Sequence, residues 1–215
     1  MIIKLLNNKI INDTHDDAIM KVIYYSKRNL ISCSWDNKIK IWKENNNNYD
    51  NIQTLTHSNK VNSILFLEDK KILISSGLDG TKFWNLNEIN NINYIKYFQD
   101  TGSGWNSSLC RLDEDRIIVQ GRRTTSLKVI SILNLKTIKK INNPFQCNSI
   151  SSIKDKGIFI VGGFSKDIKI YRNDNYECIQ TIQNAHDDDI NGFIELKDCS
   201  IVSFSKDERI KIWSF

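Results

Sequence analysis

The chain has three histidines in 215 residues: His15, His57 and His186. Each stands 27 positions ahead of a tryptophan, at Trp42, Trp84 and Trp213. Three imidazoles are enough ligands for a zinc ion. Their surroundings argue for something else. Each His–Trp interval holds a serine nine or ten positions before the Trp and an aspartate five or six before it: Ser32 and Asp36, Ser75 and Asp79, Ser203 and Asp207. A set that recurs once per segment belongs to three copies of a local hydrogen-bonded unit. It does not read as one metal centre, and no metal is assigned.

Other residue groups invite chemistry and were weighed in the same way. Asp16 and Asp17 follow His15, and Asp187, Asp188 and Asp189 follow His186. These acidic loops suit a rim for a basic peptide or a cation, but a calcium loop needs ordered spacing around a glycine that both lack. Solvated loops are the favoured reading. Paired channel carboxylates would suggest glycoside hydrolysis, but the carboxylates here gather at strand ends. No nucleophile elbow, phosphate loop or H-E-x-x-H occurs, so no catalytic residue and no cofactor is assigned. Cys33, Cys110, Cys147, Cys178 and Cys199 form no C-x-x-C pair. They read as reduced, mostly buried thiols of a cytoplasmic or nuclear protein.

The elements that position these residues repeat. "IKIW" ending at Trp42 recurs as "TKFW" at Trp84, "LKVI" at Ile130, "IKIY" at Tyr171 and "IKIW" at Trp213. Such a period of about 42 residues fits one four-stranded blade. Within each unit, short β-branched runs alternate with polar turns, and helical periodicity is never sustained. The last unit is the clearest: "ECIQTIQ", "INGFIEL", "SIVSFS" and "IKIWSF" are its four strands.

At this point the chain resembles the WD-repeat (WD40) β-propellers. That family pairs a His in the loop before a blade's inner strand with a later Trp, and sets an Asp in the turn before the Trp strand. The resemblance implies an all-β fold. It would be one domain over residues 1–215, with about five four-stranded antiparallel blades ending near Trp42, Trp84, Ile130, Tyr171 and Trp213. In each complete unit the Asp should hold the His, the His the Ser, and the Ser the Trp indole. A network of this kind satisfies buried polar groups and stiffens the blade. Units three and four lack the His and the Trp, and the repeat tryptophans are followed by Lys43, Asn85 and Ser214 where the family's repeat carries an aspartate.

Two further expectations follow. Residues 1–12, with "IIKLLNNKII", should lie beside Ile210 to Trp213 and supply the fourth strand of the last blade, because a loose sheet edge invites aberrant pairing. The turn face should be the docking surface, carrying Trp35, Leu78, Arg123, Phe164 and Lys206, with Trp105 and Arg122 beside them. Exposed aromatics with arginine are common binding anchors. The expected function is therefore a non-catalytic scaffold or recognition module for a protein or peptide partner. It should be monomeric unless it forms part of a larger assembly. The alternative is a phosphoinositide or phosphopeptide binder using Arg122 and Arg123. Net charge is +5 with basic residues spread along the chain, which disfavours nucleic acid. No segment reads as membrane-spanning.

Overall fold

The computed structural model describes residues 11, 14–26, 29–46, 48–89, 91–99, 108–120 and 125–214. The first sheet is β1 (Ile19–Ser26), β2 (Asn29–Ser34), β3 (Lys38–Asn45) and β4 (Asn48–Thr56). The second is β5 (Val61–Leu67), β6 (Ile72–Gly77), β7 (Thr81–Asn85) and β8 (Asn93–Phe98). The third is β9 (Leu109–Arg111), β10 (Arg116–Gln120), β11 (Ser126–Ser131) and β12 (Lys136–Asn142). The fourth is β13 (Cys147–Ile153), β14 (Ile158–Gly163), β15 (Ile168–Arg172) and β16 (Cys178–Ile182). The fifth has three described strands, β17 (Ile190–Glu195), β18 (Ile201–Ser205) and β19 (Ile210–Trp213). Neighbouring strands are antiparallel and follow chain order outward. Among the described residues the sole helical piece is a 3-10 turn at Lys154–Lys156, and no helix is long and apolar enough to cross a membrane.

The sheets are the blades of a five-bladed β-propeller. Sequence units and sheets are out of step by one strand. The sequence boundaries at Trp42, Trp84, Ile130 and Tyr171 close the third strand of a sheet, and the fourth strand is the opening stretch of the next unit. Thus Cys178–Ile182, read above as the first strand of the last unit, pairs with β15 of the fourth sheet. Each unit therefore spans two blades and ties them covalently. The outermost strands are mostly exposed and protected by charge, as with Lys136, Lys139 and Lys140 on β12. Lysines on an edge discourage pairing with another chain.

The core lies between consecutive sheets. Period-two alternation puts Ile39 and Ile41 of β3 on the side facing the second sheet, where both are fully buried with Ile64 and Leu73. Sheets two and three bury Phe83, Ile117 and Ile130. Sheets three and four bury Val129, Phe159 and Tyr171, and sheets four and five bury Ile160, Ile170 and Ile201.

The boundary between the fifth and first sheets differs. Ile210 and Ile212 occupy in β19 the positions of Ile39 and Ile41, yet they are 73% and 66% exposed. On the opposing side of the first sheet, Val22 and Tyr24 are 53% and 76% exposed. Their counterparts in the second sheet, Ile64 and Phe66, pack against the first. Among the described residues nothing covers either face. Of the expected closing strand, residues 1–12, all but Ile11 lie outside the described residues.

The tetrads, the turn face and the channel

The turn linking β2 to β3 brings Asp36 back over His15, because Asn37 adopts φ 71° and reverses the chain. Gly80 does the same in the second blade with φ 143°. A Cβ at Gly80 would sit 2.5 Å from the Phe98 carbonyl oxygen, so the position requires glycine.

Three tetrads result. His15 Nδ1 lies 2.7 Å from Asp36 Oδ2, His15 Nε2 lies 2.7 Å from Ser32 Oγ, and Trp42 Nε1 donates to Ser32 Oγ at 2.8 Å. The second blade repeats this with His57–Asp79 at 2.6 Å, His57–Ser75 at 2.7 Å and Trp84–Ser75 at 2.8 Å. The fifth has His186–Asp207 at 2.8 Å, His186–Ser203 at 2.7 Å and Trp213–Ser203 at 2.8 Å.

The indole can only donate. The serine oxygen accepts from it and turns its own proton to Nε2, so the neutral imidazole carries its proton on Nδ1 and gives it to the carboxylate. Burial holds His57 below its ordinary pKa, opposing the pull of Asp79. Burial by itself would raise the Asp79 carboxyl, but hydrogen bonds from His57 and Ser58 outweigh it and bring it down to about 2. A neutral His and an ionised Asp follow. The recurring lysine of "IKIW" also has a place. Lys82 Nζ donates to the Thr56 carbonyl at 3.1 Å and Lys211 Nζ to that of Ala185 at 2.6 Å, each just ahead of the blade's histidine.

The fourth blade keeps a reduced version that the His–Trp spacing alone does not reveal. Tyr171 Oη donates to Asn143 Oδ1 at 3.1 Å, and Asn143 Nδ2 donates to the Phe145 carbonyl. Asn143 stands 28 residues before Tyr171, one off the tetrad interval. A Tyr and Asn pair near that spacing was the available signal. In the third blade Val119 and Ile130 fill the Ser and Trp positions with apolar packing.

Of the predicted docking residues that are described, Trp35, Phe164 and Lys206 make contacts across blade boundaries. Trp35 Nε1 donates to Asn62 Oδ1 of the next blade at 2.8 Å, and Lys60 Nζ lies 4.3 Å from the centre of its ring. Trp35 is thus half-buried and tethered across a boundary. Phe164 is half exposed with Lys206 Nζ 5.8 Å above its ring, and Lys206 also pairs with Asp189 at 2.8 Å. Leu78 is half-buried, its N–H bonded to the Lys60 carbonyl. Trp105, Arg122 and Arg123 lie outside the described residues, so the arginine pair has no geometry to report.

The acidic loops are engaged with cations of the protein. Asp16 pairs with Lys38 at 2.5 Å, Asp17 with Lys60 at 3.7 Å, and Asp187 with Arg209. At the centre, residues of all five sheets line a cavity of about 620 Å3, including Lys21, Asn62, Ser108, Asn148 and Asn191. No described lining residue is acidic.

The comparisons agree with this geometry. The model "WD domain, G-beta repeat" matches residues 8–43 and 49–85. No curated protein matches the chain. Among solved structures the chain is similar to the WD40 β-propeller domain of Doa1, with a TM-score of 0.72 at 18% identity. The match covers 88% of this chain and 62% of that one. The chain is thus a five-bladed β-propeller whose first two units match the WD40 repeat.

Proposed function

We propose that the chain is a non-catalytic interaction module that presents the turn face of its blades to a peptide or protein partner. The observation carrying this reading is the pair of aromatic–lysine contacts, Trp35 with Lys60 and Phe164 with Lys206, held across blade boundaries on one face. Rigid, partly exposed aromatics beside cations are the side chains that anchor interfaces. Buried tetrads fix the turns that carry Trp35 and Lys206, so little conformational freedom is lost there on binding.

The test is partner capture by the full chain against a Phe164→Ala, Lys206→Glu variant. Capture should fall at least tenfold while the melting temperature stays within about 2 °C. Partners retained in full by the variant would remove this face from consideration. Vesicles with and without a phosphoinositide serve as the second arm. Retention that depends on the headgroup and on Arg122 and Arg123 would favour the lipid reading instead.

A further inference from the structure

Lys21 lies third in β1 and points its charge problem into the central cavity. It lines that space with residues from the other four blades. Among the described residues it has no carboxylate partner. Its nearest titratable neighbours are the thiols of Cys33 and Cys110. Burial pushes these up to about 12 and about 11, so both are neutral and neither supplies a counter-charge. Burial also lowers the Lys21 ammonium from its ordinary value. A cation drawn out of water without an anion beside it is costly.

Half of the rest of the lining carries hydroxyl or amide groups. Ser63, Ser149 and Asn191 face the cavity, and their side chains have no hydrogen-bond partner among the described residues. Ser108 Oγ accepts from the Ile150 N–H at 2.8 Å, so its own proton is left to donate. Several hydroxyl and amide groups therefore share one cavity with a single ammonium, at the end of the channel nearest the turn face. Asn62, which also lines the cavity, is the residue that Trp35 holds. The cavity and the turn face are therefore mechanically joined.

We infer that this channel mouth is an oxyanion subsite that takes a carboxylate of the bound peptide, with Lys21 as its counter-ion and the serine and asparagine side chains as donors. Charge matching selects the carboxylate: one ammonium neutralises one negative charge, whereas a phosphate dianion would leave one buried and unpaired. The inference rests on the peptide-platform reading above and adds the chemistry of the residue that enters the channel.

The test uses the full chain and an immobilised set of peptides of equal length, identical except for a central Glu, Gln or phosphoserine, plus a set ending in a free or amidated C-terminus. Wild type should retain Glu peptides, or free C-termini, at least tenfold better than their neutral counterparts. The two sets separate a side-chain carboxylate from a terminal one. Lys21→Met should abolish that preference while leaving the melting temperature equal or higher, because it removes an uncompensated cation and keeps the stem. Undiminished acid preference in Lys21→Met overturns the assignment, and so does preference for phosphoserine over Glu. Peptides bound without regard to the acid, but lost in Phe164→Ala, would also overturn the subsite while keeping the platform. Wild type that retains no peptide at all would overturn both.

Discussion

The hydroxyl of Tyr171 reaches Asn143 directly, at 3.1 Å, and so crosses the distance that a Trp, a Ser and a His span elsewhere. With Tyr at the Trp position, its oxygen projects beyond where an indole nitrogen would lie. With Val161 at the serine position, no hydroxyl stands between. The fourth blade has thus exchanged two bonds through a serine for one.

That single bond should be measurable as a coupling. Tyr171→Phe and Asn143→Ala should each destabilise the fold, and the double variant should cost less than their sum by about 0.5–1.5 kcal/mol. Urea unfolding of the four proteins supplies the cycle. Additive costs would mean that the bond contributes nothing.

Ser75 carries two bonds in the second blade. Ser75→Ala leaves both Trp84 Nε1 and His57 Nε2 without partners in a buried site, and Asp79→Ala strips the proton acceptor from His57 Nδ1. Each should cost about 1–3 kcal/mol. An unchanged denaturation midpoint for either would contradict the relay in that blade.

The same tetrad makes the fold acid-sensitive. Asp79 titrates lower in the folded state, about 2 against the ordinary 3.8, so its contribution is present above about pH 4 and is lost as pH falls towards 2. His57 is also lowered, by burial. The unfolded chain takes up that proton near 6.5 while the folded one resists, so this contribution too declines as pH drops below that value. Stability should therefore decrease from pH 8 to pH 3, with a first decline that His57→Gln reduces. A midpoint that is flat across this range would be incompatible with a neutral His and an ionised Asp.

Equivalent isoleucines should respond differently. Ile41→Ala removes a fully buried side chain between two blades and should cost about 2–5 kcal/mol. Ile212→Ala, at the matching position of the fifth blade, should cost less than about 0.5 kcal/mol, because nothing described covers it. Ile212→Lys should also reduce binding of a hydrophobic dye. Equal losses at the two sites would mean that the fifth and first blades seal against each other in solution.

Arg111 bridges two blades through a bidentate pair with Asp69, at 2.7 and 2.8 Å. Its hydrogen bonds and charge bring the Asp69 carboxyl down to about 2. The pair is partly solvent-accessible, with Arg111 20% and Asp69 47% exposed, so Arg111→Ala should cost about 1 kcal/mol, and the cost should shrink in molar salt. A large, salt-independent loss would show the pair to be shielded from solvent.

Some of this was legible before any coordinates. A tetrad is local in sequence, and its partners are set by strand pairing within a single blade. The constant spacing from His to Trp therefore carries the registry of Ser32, Asp36, Ser75, Asp79, Ser203 and Asp207 on its own. Period-two alternation likewise declares which faces of each strand are apolar. Contacts between blades have no such signature. The meeting of Trp35 with Asn62 and Lys60, and of Gln120 with the backbone around Cys147, depends on how one sheet leans on the next. Spacing cannot encode that, because different side-chain pairs fill the same boundary in each blade. Whether Lys21 meets an anion, and whether Ile212 and Tyr24 are covered, depends on the whole ring: an ammonium or an isoleucine reads the same in a strand whatever stands opposite, and only the tertiary arrangement decides whether anything does.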